Sequence, residues 1–351
     1  MSKDNIILKM DEKILGEQLQ DSDFASKIYE AIGLLFSERG LGADSARKLL
    51  SNLVGVVSML NEELARIDSN GCESENHHDQ FRYKEDDFND DSDAGASGEI
   101  RYCKEDWKIA KSLNEIAEGM YNDVSEDDKA RFCMDGIYPG YSKAKFKILF
   151  VAREAYCMDG ENYMRVVGER LKEGRFGEWT INQYPFHRRQ FYIAWGIANN
   201  FPDWENVPWA TKISEEIKFG TPSCDLGWAF MNLCKISNKT GSWETDYETY
   251  RKFVKDQGEK LKEEIKIIEP DLIIGSGVYD LVELLGYKNV DKSNKNCFYW
   301  YNGIDGIPPM LDRYHFSAIK NDQKCYYEAV RNVLRKYWEE FKSNATWKKG
   351  E

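Results

Sequence analysis

Hydrophobic positions recur at three- and four-residue steps in two N-terminal stretches. In residues 22–40, Phe24, Ile28, Ile32 and Leu35 fall on one helical face, with Ser22 or Asp23 as cap and Gly40 as stop. In residues 42–67, Leu49, Leu50, Leu53, Val56, Val57, Leu60 and Leu64 form a broad stripe behind Asp44 or Ser45. Residues 21–67 therefore predict a helical hairpin, too small to bury both of its faces alone. It must dock on the main domain, on a second copy of the chain or on a protein partner.

The pattern changes after residue 100. Helices are predicted over about 104–120 and 125–134, followed by the apolar run Phe146 to Ala152, bounded by polar residues as a buried strand would be. Three more short apolar runs, 228–234, 271–277 and 308–315, are separated by helical patterns that include 246–268 and 277–286. A final amphipathic helix covers about 322–343. Strands alternating with helices predict an α/β fold, a mostly parallel sheet sandwiched between helices. In such sheets ligands bind beyond the carboxyl ends of the strands.

Charge sharpens the division of the chain. The 351 residues carry a formal net charge of −13, which at first argues against a nucleic-acid partner. Residues 1–145, however, hold 18 of the 48 basic and 31 of the 61 acidic side chains, leaving 30 of each sign in the remainder. The C-terminal part is balanced, and a basic face can form there. Residues 72–99 are acidic and poor in aliphatics, which predicts a solvated linker, with His77 and His78 in a polar tract rather than a metal site. The domain expectation is a helical module over 1–70, an acidic linker or loop over 71–100 and an α/β domain over 101–351. The eight cysteines include no C-x-x-C pair, and no apolar run is long enough to span a bilayer. A reduced, cytoplasmic setting without membrane contact, metal or cofactor is expected.

The strand ends carry the chemistry. The first strand leads into Ala152-Arg153-Glu154-Ala155-Tyr156, and the second run ends Asn232-Leu233-Cys234-Lys235. The third ends Gly275-Ser276-Gly277, and the fourth ends Tyr314-His315-Phe316-Ser317. Each residue alone also fits a structural role. Together a carboxylate, an amide and an imidazole at one crevice make an active-site composition.

These residues resemble the uracil-DNA glycosylase superfamily. Lys147-Ile148-Leu149-Phe150-Val151 followed by Glu154 and Tyr156 is similar to its first motif, and Asn232-Leu233-Cys234-Lys235 to its second-strand end. Pro270 to Gly277 is similar to its strand-to-helix turn, and His315-Phe316-Ser317-Ala318-Ile319 to its closing motif. The motifs occur in the family's order across 147–319. Ala152 stands where a loop glycine is usual, and Ala155 and Phe316 stand where prolines are usual, so the base excised stays open.

The resemblance implies an α/β/α sandwich and a DNA glycosylase that flips out a base and hydrolyses its N-glycosidic bond. Glu154 would activate water and stabilise positive charge on the sugar. His315 would donate to the departing base, Asn232 would read the base edge, and Tyr156 would wall the pocket. Ile319 would be the wedge, with Ser317 of the closing motif as a DNA contact; Arg188 and Arg189, set among aromatics, and Lys235 and Lys320, beside the Asn and wedge positions, are further candidate DNA contacts read from the residues themselves. Uracil, a damaged base or a hypermodified base of phage DNA, in single or double strands, are the substrates in view, with repair or antiviral defence as the role. The other class is a catalytically silent module binding nucleic acid or protein. Aromatics beside arginines, as in Phe186-His187-Arg188-Arg189, suit base stacking and phosphate contact, or simply a helix with an aromatic core face.

Overall fold

A computed structural model describes residues 81–85, 88, 103–156, 158–176, 179–217, 226–238, 245–288, 290–291, 299–303, 306–317 and 323–343. The chain divides into two units, residues 1–75 with 177–179, and residues 76–176 with 180–351. The predicted hairpin at 21–67 lies outside the described residues, and the second unit holds the α/β domain.

Long, uninterrupted apolar runs build the centre of that domain. Strand β2 (Phe146–Tyr156) pairs in parallel with β5 (Leu226–Asn238) on one side and β6 (Leu272–Ser276) on the other. Strand β6 pairs in parallel with β9 (Met310–Arg313). Short antiparallel strands close both edges: β1 (Gly136–Ile137) beside β5, and β8 (Tyr299–Tyr301) with β7 (Val290–Asp291) beyond β9. The seven-stranded order is β1-β5-β2-β6-β9-β8-β7. The chain is thus an α/β fold with a parallel centre. All four predicted apolar runs became its four central strands.

Helices cover both faces, as a parallel sheet requires. On one side, α1 (Lys104–Asp123) packs on α6 (Tyr247–Ile268), which in turn contacts α7 (Tyr279–Leu285). The crossover from β2 to β5 carries α3 (Tyr163–Glu173), α4 (Pro185–Ala198) and α5 (Ala210–Ile217), and α8 (Gln323–Ser343) packs on α4. The one-turn α2 (Glu126–Lys129), the short strands β3 (Arg175–Phe176) and β4 (Trp179–Thr180), and two 3-10 turns at Tyr141–Lys143 and Trp204–Asn206 are further elements among the described residues. Local chemistry sets the helix ends. The Asp246 carboxylate accepts from the Thr249 amide at 3.2 Å to start α6, and Glu269 takes the left-handed conformation at its end, just before Pro270.

Part of the acidic stretch is not solvated. Phe81, Tyr83 and Phe88 are buried. Tyr83 exchanges two 2.9 Å hydrogen bonds with the Asn114 side chain on α1, and its hydroxyl bonds the backbone of Ile137 on β1. Phe81 packs its ring against Tyr121 and Phe132. Three aromatics spaced among acids escape a compositional average, yet each buries enough apolar area to hold the backbone against the domain.

Lys235 corrects a second expectation. It is 2% exposed, and its ammonium lies 2.5 Å from Asp135 Oδ1 and 2.8 Å from Glu264 Oε1 on α6. Strand alternation places it on the opposite sheet face from Asn232, so it cannot reach a phosphate beside that amide. Replacing Lys235 by Met should destabilise the domain by about 3–5 kcal/mol, because two carboxylates would be left buried without their cation. Urea denaturation measures this; an unchanged midpoint with weakened DNA binding would restore the phosphate role.

Candidate active site at the strand ends

The parallel order β5-β2-β6-β9 sets the ends of four strands side by side. Ala152 on β2 is in register with Asn232 on β5, and Glu154 with Cys234. The register then shifts, so that Tyr156 pairs with Asn238. A bulge at this point re-aims the side chains that follow it. Next along the sheet come Ser276 and Gly277 at the end of β6, then His315 two residues beyond β9.

The corner between β6 and β9 fixes the histidine. Gly275 is in register with Asp312, and a Cβ there would come within 2.5 Å of Asp312 Oδ1, so only glycine fits. That oxygen accepts the amides of Gly277 (3.0 Å) and Val278 (3.2 Å), at the turn where Gly277 has φ +75°. Ser276 Oγ accepts the Phe316 amide at 2.9 Å, while Arg189 donates to the Phe316 carbonyl at 2.5 Å. The residue after His315 is therefore held at both of its backbone groups. Burial pushes the Asp312 carboxyl up to about 6, with the three amides of Val278, Gly277 and Arg313 pulling it back.

The His315 ring is oriented as well as placed. Its Nδ1 accepts the Ser317 amide at 3.2 Å, which leaves the proton of the neutral ring on Nε2. Burial lowers its pKa to about 4, with further push from the positive charges of Arg153 and Arg189. His315 is thus a neutral donor at physiological pH. Phe186, near the start of α4, lies 5.5 Å from the His315 ring and 5.9 Å from Phe230, two residues before Asn232. This one ring spans from the histidine to the amide-bearing strand.

Glu154 is half-buried, and burial raises its carboxyl above the ordinary range. The Thr245 hydroxyl and Arg153 pull it down, and Asp246 pushes it up. Its Oε2 is shielded from solvent and bonds no described group. Asn232 is 1% exposed; its amide N–H donates to Asp135 Oδ2 at 2.6 Å, and its side-chain Nδ2 has no hydrogen-bond partner among the described residues. A buried amide donor without a partner costs free energy unless a ligand satisfies it. Tyr156 is partly exposed at the end of the same strand as Glu154.

The expected DNA contacts fare differently. Arg189 is 2% exposed, bound to Phe316 and stacked 4.4 Å from the Tyr326 ring, so it is a scaffold residue and not a phosphate ligand. Arg188 is half-buried and donates to the Asn182 carbonyl. Ser317 is exposed beside His315. Ile319 and Lys320 lie outside the described residues. The sequence assigns no role to Arg153, Asp312 or Ser276, and marks Phe186 only as an aromatic beside arginines. Arg153 and Ser276 sat in quoted motifs as spacers, and only the glycine at 275 hinted that a side chain such as Asp312 would fill its space. Among the described residues, no group of three or more His, Cys, Asp or Glu is arranged to hold a metal ion.

The depressed pKa of His315 couples the stability of the fold to pH. Between pH 6.5 and about 4 the unfolded chain takes up a proton at this ring while the folded chain does not, so stability falls with falling pH across that window. The slope at full effect is about 1.4 kcal/mol per pH unit. His315→Gln should lose this contribution, narrowing the acid sensitivity seen by urea unfolding at pH 7, 6 and 5; parallel curves for both proteins would contradict it. The sequence matches no known family model and no curated protein, so the reading of the site rests on its own residues.

Proposed function

We propose that the protein is a DNA glycosylase-like enzyme, which takes a base out of its stack and hydrolyses its N-glycosidic bond. The observation that carries this reading is that three groups lie toward the carboxyl side of the parallel sheet: a neutral imidazole donor two residues beyond β9, a half-buried carboxylate near the end of β2, and on β5, in register two residues before that carboxylate, a buried side-chain amide without a partner among the described residues. The uracil-DNA glycosylase superfamily, which the motif order resembles, uses residues of these types.

In the reaction the C1′–N bond breaks and its electron pair leaves with the base. Water supplies the hydroxyl that bonds C1′ and the proton that the base retains. Positive charge grows on the sugar and negative charge on the base. Glu154 faces the first need, as a carboxylate that orients water and stabilises the cation. His315 Nε2–H faces the second, since a neutral donor strengthens its hydrogen bond as the base becomes anionic. Asn232 offers one donor and one acceptor to a base edge. Phe186 provides an apolar ring between them, against which a flipped base would lie.

The base is uracil, a damaged base or a hypermodified base, and the setting is repair or defence against foreign DNA in the cytoplasm. A second reading, a silent module that binds nucleic acid or protein, is favoured by Phe316. Where the family has a rim proline, this ring is fully buried against Phe150 and Phe186.

Oligonucleotides carrying a panel of bases, together with modified phage DNA, separate the two by the appearance of alkali-labile sites. Glu154→Gln should slow release by about a hundredfold or more, and His315→Ala by about a hundred- to a thousandfold. Release unaffected by both substitutions would overturn these roles, and tight binding without release from any base would favour the silent module.

A further inference from the structure

The rim beside Glu154 carries a pair of residues to which this mechanism gives no contact with the DNA. Tyr247, the first residue of α6, is 49% exposed. Arg153, the residue before Glu154, donates to the Tyr247 hydroxyl at 2.6 Å, and its guanidinium carbon lies 5.6 Å from the ring centroid. Arg251, one helical turn on, places its guanidinium 5.3 Å from the same ring. Tyr250 meets the ring edge-on at 6.4 Å and is itself fixed by a 3.0 Å bond to Asp280. An exposed aromatic ring is thereby held in one orientation with two cations around it.

We propose that Arg153 and Tyr247 form a subsite for the nucleotide next to the excised one, and that the strand bound there is single-stranded.

Charge supports a polyanion as the occupant. Neither Arg153 nor Arg251 forms an ion pair with a carboxylate among the described residues, and Arg153 Nε has no partner there. Two nearby carboxylates are fixed by neutral donors and leave the guanidinium groups unpaired: Asp246 accepts from the amide and hydroxyl of Thr249, and Asp280 accepts from Tyr250. Glu248 is exposed on the same first turn and is the acidic group left facing solvent there.

Position ties the pair to the candidate site. Arg153 is adjacent to Glu154 and acts on the charge of both Glu154 and His315, and Thr245 and Asp246, just before Tyr247, act on Glu154. A base lying on Tyr247 would leave its phosphate near the guanidinium, the ring-plus-cation arrangement that holds single strands. A base inside a duplex is stacked on both sides and has no free face to offer. The inference rests on the proposed function for the identity of the neighbouring site, but not for the binding itself.

Fluorescence anisotropy tests it with a labelled short oligothymidylate, alone and annealed to oligoadenylate. The single strand should bind more tightly than the duplex. Tyr247→Leu, which keeps apolar bulk without a π-face, should weaken single-strand binding by about tenfold, while Tyr247→Phe should stay within about threefold. Arg153→Gln should reduce the slope of log affinity against log salt by about 0.7, the loss of one phosphate contact to a single strand. Thermal melting of each variant checks that the fold is kept.

Equal affinity for both strand forms, no binding of the single strand, or wild-type affinity in Tyr247→Leu would each overturn the inference. Base release measured on the same proteins separates the two claims. Release with unchanged affinity in Tyr247→Leu removes the subsite and leaves the glycosylase reading. A binding loss in Tyr247→Leu without release from any base removes the glycosylase reading and leaves the subsite.

Discussion

The parallel ladder between β2 and β5 is the constraint on which the rest depends. It runs in register from Phe146 opposite Leu226 to Glu154 opposite Cys234 before shifting at Tyr156. A slip of one residue would turn every side chain of a strand to the other face. Here both faces are covered, and every residue of β5 is buried, so hydrophobicity alone does not distinguish the two registers. Polar residues do. Lys235 must meet Asp135 and Glu264 on the α6 face, and Asn232 must lie on the side where Phe186 packs on Phe230. The buried ion pairs thus pin the alignment that sets Asn232 beside Ala152, two residues before Glu154 on the neighbouring strand.

Arg153 links the electrostatics of the site. Its positive charge lowers the pKa of His315 and also that of Glu154. One cation therefore favours a neutral imidazole and an ionised carboxylate together, a division of labour between donor and charge stabiliser at a single pH. Burial acts on the two groups differently, since it assists the neutral histidine and opposes the carboxylate. The guanidinium offsets that cost at Glu154 while adding to the effect at His315.

The central strands were legible because each is a short apolar run between polar residues, and the helices between them because Asp246, Pro270 and Gly286 mark their ends. The extension of β2 through Arg153 to Tyr156 was not legible, since those residues break the apolar run and remain in the sheet only by pairing with β5. The edge strands β1, β7 and β8 are too short for any period to register. Lys235 follows Asn232 by three residues, and the period of two alone would have put it on the other face. Arg189 needed the fold: only the return of the chain at Phe316 makes it a buried brace. The positions of Glu154 and His315 near strand ends were readable, but Asn232 lies in mid-strand because β5 runs on to Asn238, and Phe186 and Asp312 join them only through contacts between distant segments.

The most direct test of the account is mass spectrometry of the small molecules released when the protein is incubated with single-stranded DNA containing uracil, damaged and hypermodified bases. The account predicts a free base, matched one-to-one by an aldehyde-reactive abasic site in the strand and suppressed in Glu154→Gln. Strand cleavage without free base, or a base released equally well by Glu154→Gln, would contradict it.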